Sequence, residues 1–497
     1  MPKIVFLWTD IALYLLMLAL ILYGLHVRRT PSLRQTWARV AQSASAMSAA
    51  VVLMVFGLIA VLDSIHYRPL LEAVQLEAGV SSRAYSPVTR SLLDDVLAKP
   101  LSGREKTYSA PLAYQQFSKE TVLHNGEAVR DFPRLVHGGA HLTDPASERW
   151  PDVAKRVWRG VVWGALVAWV SGLALAAVLA ARSQQSLSWG WRQLLSTERD
   201  APHGDEMAAA PRSPIPWFAI YLSWCAVCVV AAVLVVLSQT YHVLGTDSTG
   251  NDVLAQSLKS VRTAVIIGSI TTLATLPLAV GLGLMAGYFK GWIDDLIQYL
   301  YTTLSSIPGV LLIAACVLMI QVFIDSNPNA FETGAERADI RLFLLCLILG
   351  LTGWAGLCRL LRAEVLRLRE LDYVAAARAF GVPSFTIMRR HLLPNVMHIV
   401  LITAVLEFSA LVLFEAVLSY LGVGVDPVMN SFGSMINLAR LEMSRDPMVW
   451  WSLLSAFAFM LALVLSANLF ADAVRDAFDP RARVFRPRWA RFKQERA

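Results

Sequence analysis

The stretch Tyr373-Val-Ala-Ala-Ala-Arg-Ala-Phe-Gly381, with Val382-Pro383 and His391-Leu-Leu-Pro394 behind it, decides how the chain is read. Ala375, Ala376, Ala377 and Ala379 are strong helix formers. Gly381 supplies a C-terminal stop, Pro383 cannot continue the helix, and a second helix starts beyond them. Small side chains leave a surface of little bulk that another protein can approach closely. Tyr373 and Phe380 frame it with aromatic anchors of the kind that dominate interface energies. Taken alone, the pattern also fits a plain helix lying on a membrane surface.

The composition around this stretch is that of a multi-span membrane protein. Of 497 residues, 56% are apolar and 16% charged, against about 45–50% and 25% in ordinary globular domains. Mean hydropathy is +0.52. Disorder, collagen and a disulfide scaffold are excluded. The five cysteines (Cys225, Cys228, Cys316, Cys346 and Cys358) all fall in apolar runs and read as buried, inert thiols. A spanning helix needs about 20 mostly apolar residues, and nine segments qualify: 4–26, 43–63, 157–181, 217–239, 261–287, 295–324, 341–361, 396–424 and 447–474. The first has too long an apolar run for a cleaved signal and is followed by Arg28-Arg29, so it reads as an anchor.

Charge orients these spans. Segment 27–42 carries a net +4, 359–391 a net +4, the tail after Asp479 a net +6, and the long loop 64–154 a net −1. Positive loops stay inside, so the expected N-terminus is outside and the C-terminus cytoplasmic. The total of +7 is then an orientation signal and calls for no nucleic acid; the tail with Phe485, Trp489 and Phe492 suits anionic lipid. Lys155, Arg156 and Arg159 at the outer end of the third span are expected in an interfacial segment. The expected organisation is two N-terminal spans in 1–63, an extracytoplasmic insertion at 64–156, a third span at 157–181, a cytoplasmic linker at 182–216, a six-span core at 217–480, and a basic cytoplasmic tail at 481–497.

With Ala376, Ala377, Gly381, Leu393 and Pro394 at matching spacing, the quoted stretch resembles the EAA motif of ABC importer permeases. Ala375 stands where the motif has Glu, and His391 where it has Ile. Four further stretches resemble the dipeptide/oligopeptide permeases, specifically the second of their paired subunits. They are Leu244-Gly-Thr-Asp247 with Gly250-Asn-Asp252, Gly287 to Asp294, Glu415 to Gly424 with Pro427 and Ser431-Phe-Gly433, and Asn468 to Asp472 with Arg475 to Arg481. Together they run in order over roughly half the chain, from about 240 to 481.

The resemblance implies an all-α membrane protein, a type I importer core with three extra N-terminal spans, in a bacterial inner membrane. It implies a homologous permease partner, two cytoplasmic ATPase subunits that bind ATP and Mg, and an extracytoplasmic solute-binding protein. Tyr373, Ala375, Ala376, Ala377, Phe380, Gly381, Leu393 and Pro394 would form the ATPase-coupling surface. The cargo would be a di- or oligopeptide; nickel or another small solute on the same machinery, or an ion-gradient-driven carrier, are the alternatives.

Other residues admit two readings. Gly245, Thr246, Asp247, Gly250 and Asp252 fit an outer gate or docking element, or local turn and cap chemistry; the structural role is preferred. Glu407 and Glu415, eight residues apart in one span, line a translocation path or are hydrogen-bonded within the bundle. Gly283 and Gly287 form a GxxxG expected to pack helices closely. His137 and His141 beside Asp144 have a metal-like spacing, but Gly138-Gly139 oppose the helix that zinc would require, and no metal is expected. Gly103-Arg-Glu-Lys-Thr107 lacks the glycine a phosphate-cradling loop needs before its lysine. The chain is therefore expected to hold no cofactor and no ATPase site of its own.

Overall fold

The computed structural model describes residues 2–70, 85–124, 127–196, 215–327, 331 and 333–478. The expected basic tail at 481–497 and residues 197–214 of the expected linker lie outside them. In chain order the helices are α1 (Trp8–Arg29), α2 (Pro31–Val40), α3 (Ala44–Asp63), α4 (Leu92–Val96), α5 (Ala98–Ser102), α6 (Pro145–Ser183), α7 (Leu187–Leu195), α8 (Trp217–Ser238) and α9 (Val253–Phe289). There follow α10 (Trp292–Ser306), α11 (Gly309–Ser326), α12 (Gly334–Gly353), α13 (Ala355–Leu368), α14 (Asp372–Ala379), and α15 (Ser384–Ile387) running through a π-turn into α16 (Leu393–Tyr420), then α17 (Phe432–Glu442) and α18 (Trp451–Phe478). Among the described residues, nine helical stretches are long and apolar enough to cross a membrane, as expected: α1, α3, α6, α8, α9, α11, α12–α13, α15–α16 and α18.

The chain forms two compact units. The first draws its described residues from 1–6, 41–264 and 429–466. Its helices meet through small residues. In α6, Gly160, Gly164, Ala168, Gly172, Ala176 and Ala180 recur every fourth position and are all buried. A Cβ at Gly160 would stand 2.7 Å from the Val233 Cα, and one at Gly164 2.6 Å from the Val229 Cα, so α8 lies directly on this stripe. Lipid supplies no hydrophobic drive between helices, and close backbone approach replaces it. The helix starts at Pro145, a dozen residues before the expected span, and Arg156 in its N-terminal part pairs with Asp152 one turn back at 2.7 Å.

Three sequence expectations are corrected in this unit. Residues 3–5 form a strand (β1, Lys3–Val5) paired antiparallel with β2 (His66–Arg68), which pairs in turn with β3 (Arg90–Ser91), so the first span begins at 8 rather than 4. A second hairpin, β4 (Glu120–His124) with β5 (Glu127–Asp131), adds further β structure to the insertion of an otherwise helical chain. The expected linker is not all loop, because α7 lies within it and rests on α6, with Gly190 against the Ala176 backbone.

The second unit draws its described residues from 7–40, 265–428 and 467–478. Its core packs Leu284, Ile297, Leu357, Leu361, Val365, Val374, Ile387 and Leu392 from α9, α10, α13, α14, α15 and the π-turn. The expected GxxxG works as close packing: a Cβ at Gly283 would meet the Leu361 Cβ at 2.8 Å, and one at Gly287 the Val365 Cβ at 2.6 Å. Asp294 at the start of α10 receives Arg362 Nε at 2.5 Å and Nη2 at 2.7 Å.

The span expected at 295–324 is two helices. Pro308 disfavours a helical conformation at the residue before it, and Ile307 is extended (φ −88°, ψ 130°), ending α10 before α11 begins. The first anchor helix is also no detached addition. In this unit Thr9 of α1 donates from its backbone N to Asp339 Oδ2 of α12 at 3.1 Å, and its hydroxyl bonds the same carboxylate. Asp10, the next residue, is fully buried.

Replacing Gly164 with Leu should push α6 off α8. Overpacking a close contact costs about 1–3 kcal/mol, and the expected outcome is a lowered melting temperature in detergent. The control is Gly281→Leu, where no atom stands within 4 Å of the added Cβ and little change is expected.

Candidate functional site

Two groups of residues carry candidate function, one in each unit. In the second, α14 buries Val374 and Ala377 into the core and turns its other face outward. Tyr373 is 41% exposed and Phe380 86%, with Ala375 and Ala376 exposed on the same short helix. The helix ends in two backbone bonds, Val382 N to Ala377 O at 3.1 Å and Gly381 N to Arg378 O at 3.0 Å. Gly381 adopts φ +75° between them. This pattern defines a Schellman stop, and its left-handed residue favours glycine. Leu393 is half-buried and Pro394 exposed at the start of α16. Asn395 reaches the Tyr373 hydroxyl at 3.2 Å, tying the two helix starts together. Of the sequence-predicted coupling residues, Tyr373, Ala375, Ala376, Phe380, Gly381 and Pro394 are exposed and Leu393 half-exposed, whereas Ala377 is corrected to a core position because it faces inward beside Val374; Phe385, 69% exposed, was not among those expected.

In the first unit, the segment from Thr240 to Asp252 is clasped by the insertion. Thr246 N donates to Ser109 O at 3.1 Å, Ser109 N donates to Thr246 Oγ1 at 2.6 Å, and Thr246 Oγ1 donates to Thr107 O at 2.9 Å. Glu105 N donates to Gly250 O, Leu112 N to His242 O and Gly139 N to Thr240 O, each at 2.9 Å. The Trp451 indole donates to Thr246 O at 3.0 Å while its ring meets Phe117 edge-on at 4.8 Å. A side chain at Gly250 would collide with the Glu105 backbone, and the residue sits at φ +78°.

Of the five residues read as gate or docking element, Gly245, Thr246, Gly250 and Asp252 are buried here. Asp247 is partly exposed and builds an Asx turn, its Oδ1 accepting from Thr249 N at 2.8 Å and Asn251 N at 2.9 Å. Asp252 Oδ1 accepts from Ala255 N at 3.0 Å at the head of α9.

His242, unremarkable in the sequence, joins the two segments. Its Nδ1 lies 2.8 Å from Asp252 Oδ2 and its Nε2 3.5 Å from Glu105 Oε1, an ion-pair distance. Burial alone would lower the His242 pKa, but hydrogen bonds and charge from Asp252 and Glu105 win and raise it to about 9. Burial alone would raise the pKa of Glu105. The pairing with His242 and the backbone N–H groups of Val136, His137 and Gly138 outweigh it and lower the value to about 2. His137 therefore contributes its backbone here, and His141 bonds Asp152 at 2.8 Å. Among the described residues no cluster of three or more metal-ligating side chains occurs.

In α16, Glu415 is buried and accepts from Ser419 Oγ at 2.6 Å, whereas Glu407 is half-buried. Asn468, in the closing motif, accepts from Ser409 Oγ at 2.6 Å.

Residues 279–484 match the family of binding-protein-dependent transport system inner membrane components. An oligopeptide transport system permease protein, OppC, of Mycobacterium bovis is 32% identical over 247 residues, covering 50% of this chain and 78% of the relative. The OppC of Haemophilus influenzae is 30% identical, covering 49% and 71%. The chain belongs to this permease family. A peptidoglycan transport system permease protein, YejE, of Agrobacterium fabrum is 37% identical over 48% of this chain and 57% of the relative.

Replacing His242 with Ala leaves two buried carboxylates facing a void. Breaking a buried ion pair from one side costs about 3–5 kcal/mol, so limited proteolysis should cut within the insertion far faster than in the unaltered protein. The pH dependence has a fixed sign. Stability from the raised His242 is complete below its ordinary value of 6.5 and is lost as pH rises through about 9. Stability from the lowered Glu105 is complete above its ordinary value of 4.5 and is lost as pH falls through about 2. Protease resistance of the insertion should be level between those two ordinary values and decline toward alkaline pH; resistance that grows from pH 7 to 9 would contradict the assignment.

Proposed function

We propose that the α14 surface is the seat of a cytoplasmic ATPase subunit and that the cargo is a di- or oligopeptide. The chain is a permease subunit of an importer in the family named above, and the oligopeptide names of its relatives support peptides over nickel or another small solute. The observation that carries the coupling role is the division of α14. Val374 and Ala377 lock it into the core while Tyr373, Ala376 and Phe380 remain exposed. A rigidly held apolar face of small and aromatic residues suits a mechanical contact, in which closure of the ATPases moves α14 with the core behind it. ATP and Mg would be held by those partner subunits and no cofactor by this chain. A homologous permease would complete the translocation path, with half-buried Glu407 as the residue of this chain that can face it, since Glu415 is buried and engaged by Ser419.

The positive segments 27–42 and 359–391 support a cytoplasmic coupling surface and an extracytoplasmic insertion, in a multi-pass protein of a bacterial inner membrane with its N-terminus outside and its C-terminus inside. On that side the buried Thr246–Asp252 segment would seat the insertion, and the exposed Asp247, Ser248, Thr249 and Asn251 edge would meet a solute-binding protein.

In the complex reconstituted with its ATPases and binding protein, Phe380→Asp and Gly381→Leu should insert normally yet lower peptide uptake at least tenfold. Basal ATP hydrolysis should persist and its stimulation by the loaded binding protein should vanish. Uptake at the unaltered rate in both variants would overturn the coupling assignment. The ligand carried by the co-purifying binding protein checks the cargo.

A further inference from the structure

A cleft of about 680 Å³ opens in the first unit between the insertion and the turn before α18, within the size range of small-ligand sites. Its wall carries three cations, Lys119, Arg130 and Arg149, and one carboxylate, Asp446. None of the three cations forms an ion pair with a described side chain. Lys119 Nζ stands 5.4 Å from the Phe132 ring centroid; the Arg149 guanidinium lies 4.7 Å from the Trp150 ring and 5.9 Å from the Tyr114 ring, and its Nη2 donates to Pro111 O at 3.4 Å. The cleft is thus positively charged over an aromatic floor.

A second observation concerns Gln116. Its side chain is 5% exposed and lines the cleft, and its Oε1 has no hydrogen-bond partner among the described residues. Its backbone N is spent on Pro133 O at 2.8 Å. A buried acceptor left without a donor is costly unless a ligand or water supplies one. The cleft therefore asks for a molecule with an anionic end, an N–H donor close to it, an apolar or aromatic body, and room for a cationic end near Asp446.

We propose that this cleft binds a short peptide by its C-terminal end. The α-carboxylate would meet Lys119, Arg130 and Arg149, where arginine can engage a carboxylate through two parallel bonds. The last peptide N–H would reach Gln116 Oε1, the terminal side chain would lie on Phe132 and Tyr114, and the amino end would face Asp446. The site lies in the insertion rather than in the spans. It rests on the preceding subsection for its location outside the membrane and for peptides as cargo, and binding is measurable without transport, so either reading can fail alone.

The test is isothermal titration of the full chain in lipid nanodiscs, without binding protein, using the tripeptide Ala-Ala-Phe, its C-terminal amide and its N-acetyl form. Saturable binding of Ala-Ala-Phe is expected, at least tenfold weaker for the amide and only slightly weaker for the N-acetyl form. Lys119 and Arg130 are exposed, so the double variant Lys119→Gln/Arg130→Gln keeps the fold and should lose at least tenfold in affinity. Gln116→Leu should lose about fivefold. Absence of binding, equal affinity for the amide, or full affinity in the double variant would overturn the proposal. So would a double variant that fails to capture the binding protein while the unaltered chain binds no tripeptide, since the cleft would then be a protein-docking surface.

Discussion

His242 is 4% exposed, with Asp252 on one side and Glu105 on the other. Those two carboxylates come from segments more than a hundred residues apart, one from the head of α9 and one from the insertion. Neither could stay ionised and buried alone, because removing a charge from water costs several kcal/mol per ion. A raised imidazole and a lowered Glu105 make the cluster one cation between two anions. The backbone bonds around it then follow as a group. Glu105 N meets Gly250 O, and the Thr246 hydroxyl lies between Ser109 and Thr107. The insertion is thereby fixed to the core segment by charge and hydrogen bonds. A fixed insertion is also what a binding cleft needs, since the residues 110–119 lining that cleft follow directly on the clasped strand of chain.

Helix packing within each unit obeys a different constraint. The α6 stripe and the GxxxG of α9 each put backbone against a neighbouring helix at distances that admit no Cβ. Other helices of the second unit carry polar pairs: Ser419 to Glu415, Ser409 to Asn468, Thr9 to Asp339. Each satisfies a group that lipid could not, and two of them engage ionisable residues, Glu415 and Asp339, that would otherwise be candidates to act on cargo. Glu415 is the clearest case, being already engaged one turn away, whereas Glu407 has only partial burial.

What could be read from the sequence was whatever is local. The α14 stop was legible because Gly381, Val382 and Pro383 write a Schellman ending within three residues, and nine spans were legible because hydropathy sums over one window. The break in 295–324 was written in Pro308, but a long apolar run outweighs one proline when periodicity is averaged. The stripe from Gly160 to Ala180 was equally present, yet small residues every fourth position say nothing about which helix lies on them. The clasp was not legible at all. Its bonds join residues about 140 positions apart, and His242 stands in an ordinary turn until Glu105 arrives from the insertion.

The same distinction between local and distant partners explains the departure at Ala375. An acid at that position would lie on the exposed face of α14, where Ala375 stands outside the packed core. The first turn already has Asp372 to complement the helix dipole. Loss of the acid therefore leaves this chain's own structure intact and changes only the charge offered to whatever covers the face. Arg378 lies over the Tyr288 ring at 5.5 Å, and Lys290 pairs with Glu370 at 3.0 Å. The rim around the apolar centre is thus organised by contacts within the chain. A partner matched to this surface would meet Tyr373, Phe380 and Phe385 and the close approach that Ala375 and Ala376 permit.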